Sequence, residues 1–254
     1  MGKKVFGFLI ALMFAFSAFA LAGCGNPDGD GGARESDADC FVFESGSIVG
    51  LTDKGKTQQE LVLPKKINGV TVVSIGEYAF EQNTTLNSVV IANTITSIGS
   101  GAFYECTNLS SVTIPSSVQD IGQYAFYKCE NLASVAIPSS VTVIELQTFS
   151  GCKRLKTVIM GNGVESINAY AFEGCLELTS ITIPSSVTTI RSYAFKGCVD
   201  LESIVIPIGV GNMSTNVFDS CSKLTIYCQA LVRPNGWSIS WNNSDRPVEW
   251  GYNA

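Results

Sequence analysis

The sequence predicts a repeat solenoid of stacked α/β coils. Parallel strands are expected on its concave side and short helical turns on the other, with a 23-residue period. Three observations carry this prediction. Phenylalanine returns every 23 residues, at Phe80, Phe103, Phe126, Phe149, Phe172, Phe195 and Phe218. Leucine keeps the same step from Leu86 to Leu224, an aliphatic residue from Ile75 to Met213, and cysteine from Cys106 to Cys221. Each period also contains one stretch that alternates between apolar and small polar residues. A fixed period of this length marks units too small to bury their own apolar face, which therefore stack on copies of themselves.

The strand comes first in each unit. In Ser111-Val112-Thr113-Ile114-Pro115, Val112 and Ile114 alternate with Ser111 and Thr113. Period-two alternation with β-branched residues predicts a short strand with one buried face. Pro115 ends the ladder, because it has no N–H to give. Pro138, Pro184 and Pro207 repeat that stop, while Ala92 and Gly161 stand in for it elsewhere. Parallel strands need a long return path. Ala125, Phe126 and Cys129, spaced three and four apart, predict a helical turn for it. That turn is too short to be stable alone. It depends on each Phe packing under its own strand and against the next Phe.

The cysteine column admits three readings. Structural zinc needs four ligands converging as a tetrahedron, whereas a column gives a line, and no Cys-x-x-Cys occurs. Disulfides need Cβ atoms about 3.5–4.5 Å apart and facing each other, which stacked parallel side chains do not provide. The third reading is a ladder of buried thiols, since Cys is among the most buried residue types. Asn83 takes the column position in the first unit, and Cys40 and Cys228 lie outside it. A Cys221–Cys228 bridge is a further expectation.

The two ends of the chain differ from the repeats. Lys3 and Lys4 precede an apolar stretch from Val5 to Ala22, then Leu21-Ala22-Gly23-Cys24. A basic start, an apolar core and small residues describe a secretory signal; an uncleaved anchor is the alternative. Residues 25–39 read GNPDGDGGARESDAD, a composition that solvates rather than packs. Trp237, Trp241 and Trp250 cluster in the last stretch, either to cover the open solenoid end or as a carbohydrate site. The expected organisation is a signal peptide over 1–23, Cys24 with a flexible tether over 24–39, an N-terminal cap over 40–71, the solenoid over 72–226 and an aromatic cap over 227–254.

Two resemblances follow. Leu-Ala-Gly-Cys resembles the lipobox of bacterial lipoproteins, which implies cleavage before Cys24 and a diacylglycerol on its thiol. Each buried lipid methylene adds about 0.8 kcal/mol of membrane affinity. The unit Leu-x-x-Val-x-Ile-Pro-x-x-Val-x-x-Ile-x-x-x-Ala-Phe-x-x-Cys is similar to the BspA-like leucine-rich repeat, from about Val72 to Tyr227. The entry Leu63-Pro64 to Val72 and the ending Ile226-Tyr227-Cys228 to Tyr252 are similar to that family's caps. The resemblance implies a leucine-rich-repeat-like fold and a surface protein associated with attachment to host matrix proteins or other cells.

Composition bounds the function. The chain has no His, which removes the commonest general base and metal ligand. A net charge of −6, with 15% charged residues, does not favour nucleic acid, which requires a basic face. Nothing points to a cofactor or a metal. The outward strand positions form two neutral columns, and the candidate binding residues on them are Ser88, Ser111, Thr113, Ser134, Thr157, Ser180, Thr182 and Ser203. Charges collect instead around the turns, as at Glu105, Lys128, Glu130, Lys153, Glu173 and Lys196.

Short hydroxyl side chains either decorate solvated strands or serve as donors and acceptors for an extended ligand. The expected function is therefore a non-catalytic, exported, lipid-anchored surface protein that binds an extracellular protein or glycan, host matrix included. The alternatives are a structural envelope lipoprotein without a specific ligand, and a glycan hydrolase. The hydrolase needs two carboxylates about 5–9.5 Å apart, yet Asp120 is alone in a column with Ser97, Val143, Ser166, Thr189 and Asn212. Tyr78, Tyr124, Tyr170 and Tyr193 form a partial column by the turns, as half-buried supports or as a sugar-stacking platform.

Overall fold

A computed structural model describes residues 35–253. The export segment 1–23 and Cys24 lie outside the described residues, as does the tether up to residue 34. Nine short strands form the first ladder, from Glu60–Val62 through Ser88–Val90 and Ser111–Thr113 to Val248–Trp250. Their pairing is parallel and in repeat register: Ser88 faces Ser111, Ser134 faces Thr157, and Ser180 faces Ser203. The inward members, such as Val89, Val135 and Ile204, are buried.

A second ladder runs beside the first and has no counterpart in the sequence reading. It consists of two-residue strands, Ser74–Ile75, Ser97–Ile98, Asp120–Ile121, Val143–Ile144, Ser166–Ile167, Thr189–Ile190 and Asn212–Met213. The aliphatic column is its inward face, with Ile75 paired to Ile98 and Ile167 to Ile190. Between the ladders each Pro carbonyl closes a turn, as in Val118 N–H to Pro115 O and Val141 N–H to Pro138 O, both 3.1 Å.

The return path is compact but not helical. In one unit, the N–H groups of Ala125, Tyr127 and Cys129 donate three residues back, to Gly122, Tyr124 and Phe126. Those of Tyr124, Phe126 and Lys128 donate instead to the next coil, at Leu146, Thr148 and Ser150. Tyr124 and Lys128 take φ of 59° and 52°, in the left-handed region that breaks a helix. The i, i+3, i+4 spacing is thus real, but every second N–H is spent between coils.

The seven phenylalanines form the spine. From Phe80 to Phe103 the ring centroids are 4.9 Å apart, and from Phe195 to Phe218 they are 5.7 Å apart, with every step stacked. All seven rings are at most 1% exposed. Offset stacking of buried rings adds about 0.5–1.5 kcal/mol per pair beyond area burial.

The six column thiols sit directly behind this spine. Cys106 Sγ donates to Phe80 O at 3.0 Å, Cys129 to Phe103 O at 3.1 Å, Cys152 to Phe126 O at 3.2 Å, and so on to Cys221 with Phe195 O at 3.0 Å. Each thiol therefore ties its coil to the one before. Cys221 and Cys228 are both free, buried thiols, so the expected bridge between them is absent: Cys221 gives its thiol to the Phe195 carbonyl instead. In the first unit Asn83 does related work, its Oδ1 accepting from Thr85 and Leu86 N–H at 2.9 Å.

Both ends of the stack are covered. At the N-terminal end, Phe41–Glu44 and Ser47–Leu51 form a hairpin, and Ile48 continues the second ladder onto Ile75. Its turn residues Ser45 and Gly46 have φ of 49° and 90°, which matches the right-handed strand twist. Residues 35–39, assigned to the tether by composition, hydrogen bond to this cap. Ser36 N–H donates to Val62 O at 2.8 Å, and Lys54 pairs with Asp37 and Asp39. At the other end, Trp241 stands edge-on to Phe218 at 6.2 Å and 83°. Trp237 Nε1 donates to Val210 O at 2.8 Å.

Candidate functional site

The outward face of the first ladder carries the candidate residues in two parallel rows. Ser111, Ser134, Ser180 and Ser203 are exposed, Ser88 and Thr157 half-buried. In the second row Thr113 and Thr182 are exposed, and Ile159 is 47% exposed. Strand pairing places these side chains one coil apart and pointing the same way.

Their hydroxyls differ from those elsewhere in the coil. Among the described residues, none of the eight candidate hydroxyls hydrogen bonds to the protein. The second serine of each corner pair is spent instead on a carbonyl one coil back: Ser117 Oγ to Ile95 O at 2.8 Å, Ser186 Oγ to Val164 O at 2.6 Å, and Ser140 Oγ to Val118 O, whereas Ser116, Ser139 and Ser185 make no side-chain hydrogen bond among the described residues. Ser110 likewise donates to Asn87 O at 3.0 Å. The sequence does not distinguish these two populations of serine; the backbone does. The strand face is left with free donors and acceptors on a fixed scaffold.

This face becomes apolar toward the C-terminal end. A groove of about 260 Å³ lies between Ile181, Thr182, Ile183 and Ser185 on one coil and Val205 and Pro207 on the next, closed by Gln229. Its neighbours Ile208, Leu231 and Val232 are 73%, 81% and 72% exposed. No repeat column marks Leu231 and Val232, which follow the last coil, whereas Ile208 replaces a small polar residue in the column of Ser116, Ser139, Asn162 and Ser185.

The turn side carries the charges, paired along the stack. Lys128 meets Glu105 at 2.8 Å, Lys153 meets Glu130 at 2.7 Å, Lys196 meets Glu173 at 3.0 Å and Lys223 meets Asp200 at 2.7 Å. Each pair spans one repeat. Such exposed pairs contribute about 0–1 kcal/mol each, so they set register more than stability. The Lys128 ammonium beside Glu105 holds that carboxyl below its usual range, the opposite of what a general acid requires.

A depression of about 370 Å³ on the second ladder brings Glu77, Asp120 and Glu145 to one rim. Glu145 is engaged there by Asn168 Nδ2 at 2.9 Å. Among the described residues no group of His, Cys, Asp and Glu is arranged to hold a metal ion. No helix among them is long and apolar enough to cross a membrane.

Comparison with known proteins agrees with this architecture. The family model for the BspA type leucine rich repeat region matches residues 73–199 and 147–230, in six copies. The chain is similar to the crystal structure of a leucine rich repeat protein of T. pallidum, with 30% identity and a TM-score of 0.69, covering 75% of this chain and 91% of that one. A leucine rich cell surface protein from Faecalibacterium prausnitzii is 28% identical, with a TM-score of 0.53, covering 78% of this chain and 71% of that one. A leucine-rich repeat protein from Bacteroides ovatus shares the fold at 23% identity and a TM-score of 0.60; the match covers 76% of this chain but only 54% of that one. Among curated proteins none matches. The 23-residue coil, its Phe spine and these matches agree: the chain belongs to the BspA-type leucine-rich repeat family.

Proposed function

We propose that this chain is a non-catalytic cell-surface binding protein. It is anchored to the membrane through a lipid on Cys24, and it holds an extended segment of an extracellular protein along the first-ladder face. One observation carries this reading. Eight hydroxyls stand in register on that face with no protein partner, while one serine of each corner pair is bonded to the preceding coil. A regular row of free donors and acceptors at strand spacing suits the backbone of an extended chain. The apolar groove at Ile181, Ile183 and Val205 supplies a pocket for one larger side chain. The similarity to a leucine rich cell surface protein of Faecalibacterium prausnitzii supports the display role.

The test uses the full chain against immobilised matrix proteins and mucins. Ser111→Arg, Ser134→Arg and Ser180→Arg place bulk and charge on the exposed face without touching the core. Each is expected to weaken binding at least ten-fold while Glu130→Ala, on the turn side, leaves it unchanged. Absence of binding across the whole panel removes this reading. Anchoring is tested separately: Cys24→Ser should shift the chain from the membrane fraction to the soluble one.

A further inference from the structure

We propose that Tyr78, Tyr104 and Tyr124 build a second site, a groove for a neutral pyranose glycan on the turn side of the first coils. The groove arises from a break in a column. Two residues before each spine phenylalanine the chain has Tyr78, Gly101, Tyr124, Gln147, Tyr170, Tyr193 and Asn216. All seven take positive φ, between 52° and 61°, so the backbone is the same and only the side chain varies. Where two neighbours carry tyrosine, at Tyr170 and Tyr193, the rings stack at 5.0 Å and 9°. At Gly101 one ring is missing. The Tyr78 ring leans into that space; a Cβ on Gly101 would lie 2.3 Å from its Cε1. What remains is an open groove of about 610 Å³, lined by Tyr78, Glu81, Gln82, Tyr104, Glu105 and Tyr124.

Tyr104 lies in the column directly after each spine phenylalanine, which holds tyrosine only here and one repeat on, at Tyr127. It is placed by stacking on Tyr127 at 4.9 Å and meets Tyr78 edge-on at 6.1 Å. Tyr78 itself is 46% exposed. Aromatic rings with polar tips offer flat apolar faces beside hydrogen-bonding groups, which is what the C–H face and the hydroxyl rim of a pyranose require. The polar groups fit a polyol. The Glu81 carboxylate makes no hydrogen bond or ion pair among the described residues, leaving two acceptors for sugar hydroxyls. The Gln82 amide donates only a long bond to Glu105 Oε2, at 3.3 Å. Burial holds the Tyr104 phenol protonated to higher pH, as a donor.

Other ligand classes fit less well. Glu81 and Glu105 oppose an anion. A cation meets competition, because the Lys128 ammonium already lies 5.1 Å above the Tyr127 ring and 2.8 Å from Glu105. An apolar ligand would strip water from the free Glu81 carboxylate. A neutral glycan meets none of these costs.

The decisive variant is Gly101→Tyr. It adds the missing ring at a φ of 61°, the value Tyr193 already adopts, without a new backbone strain, and its Cβ forces the Tyr78 ring out of the space it now occupies, which destroys the groove. Tyr78→Gly removes the exposed ring at a position whose positive φ suits glycine. The full chain is run by affinity electrophoresis through gels containing hydroxyethyl cellulose, laminarin, mannan or dextran. We expect retardation by at least one of the four. Gly101→Tyr and Tyr78→Gly should each weaken it ten-fold or more, while Tyr170→Gly retains it.

Four outcomes overturn the proposal: no retardation in any gel, retardation unchanged by Gly101→Tyr, retention on heparin in place of the neutral polymers, or retention on a quaternary-ammonium resin that Gly101→Tyr abolishes. If Tyr78→Gly does not fold, Gly101→Tyr carries the test alone. The strand-face arginine variants should leave retardation intact, so failure of one site is distinguishable from failure of the other.

Discussion

Phe126 and Phe149 lie one repeat apart with ring centroids at 5.4 Å and planes 3° from parallel, and Cys152 donates its thiol to the Phe126 carbonyl at 3.2 Å. Two columns thus act on one junction: the rings fill it, and the thiol hydrogen bonds across it. The same junction recurs along the stack.

Removing one ring should therefore open a cavity that neither neighbour can fill. Phe149→Ala is expected to lose about 3–5 kcal/mol in chemical denaturation, because a rigid stack collapses poorly onto a void. Tyr124→Gly, on the turn surface at a φ of 59°, should cost far less. Equal losses would mean that the spine is not the main source of stability.

The thiols make an alkaline prediction. Burial pushes Cys106 and Cys228 up to about 12 from an ordinary 9.0 and moves Cys129, Cys152, Cys175 and Cys198 in the same direction. A thiol raised on folding is neutral in the native state while its unfolded counterpart ionises. Its contribution is complete below pH 9 and is lost as pH rises toward 12, by about 1.4 kcal/mol per pH unit for each group. Denaturation midpoints should fall steeply across that window, and less so in Cys106→Ala. Thiol reagents at neutral pH should modify the six column cysteines only as fast as the chain unfolds.

Glycines in the second ladder are expected to differ sharply. A Cβ on Gly122 would meet Ser100 N at 2.5 Å and Gly99 C at 2.8 Å, both backbone atoms of the preceding coil. Gly211 has nothing within 4 Å. Gly122→Ala should destabilise by about 1–3 kcal/mol and Gly211→Ala by well under 1 kcal/mol, as read from paired melting curves.

The C-terminal end should fray when its cover is removed. Trp241 seals the last ring edge-on, and Val217 N–H donates to Trp241 O at 3.1 Å. In Trp241→Ala, amide hydrogen exchange is expected to accelerate around Phe218 and Leu224 first, with Phe103 and Phe126 unchanged. Uniform acceleration along the chain would contradict a local capping role.

Much of this architecture was legible because the core columns repeat. Phe, Leu and Ile face inward in every coil, so their spacing reports the stack directly. The second ladder was hidden because a two-residue strand such as Ser97–Ile98 is too short to show alternation. The return path read as helix because Ala125, Phe126 and Cys129 do share one face, but spacing alone does not reveal that Tyr124 and Lys128 adopt positive φ. The hydroxyl rows on the strands followed from alternation. That these hydroxyls are free while Ser117 and Ser186 are bonded did not, since it depends on which carbonyl comes within reach. Only part of the tyrosine groove was legible: Tyr78 and Tyr124 stand in a column, but the opening depends on Gly101, which breaks that column, and on Tyr104, whose column holds tyrosine in two units only.

The central claim is that the coils share one hydrogen-bonded, aromatic spine and do not fold as separate units. Residue-resolved native-state hydrogen exchange tests it most directly. The N–H groups of Phe103, Phe126, Phe149 and Phe172 each donate to the following coil, to Ala125 O at 2.8 Å, Thr148 O at 2.9 Å, Ala171 O at 2.9 Å and Ala194 O at 2.8 Å respectively. The account predicts that these four amides exchange slowly and together, with a common opening free energy near that of global unfolding. Fast exchange, or four unrelated opening energies, would contradict it.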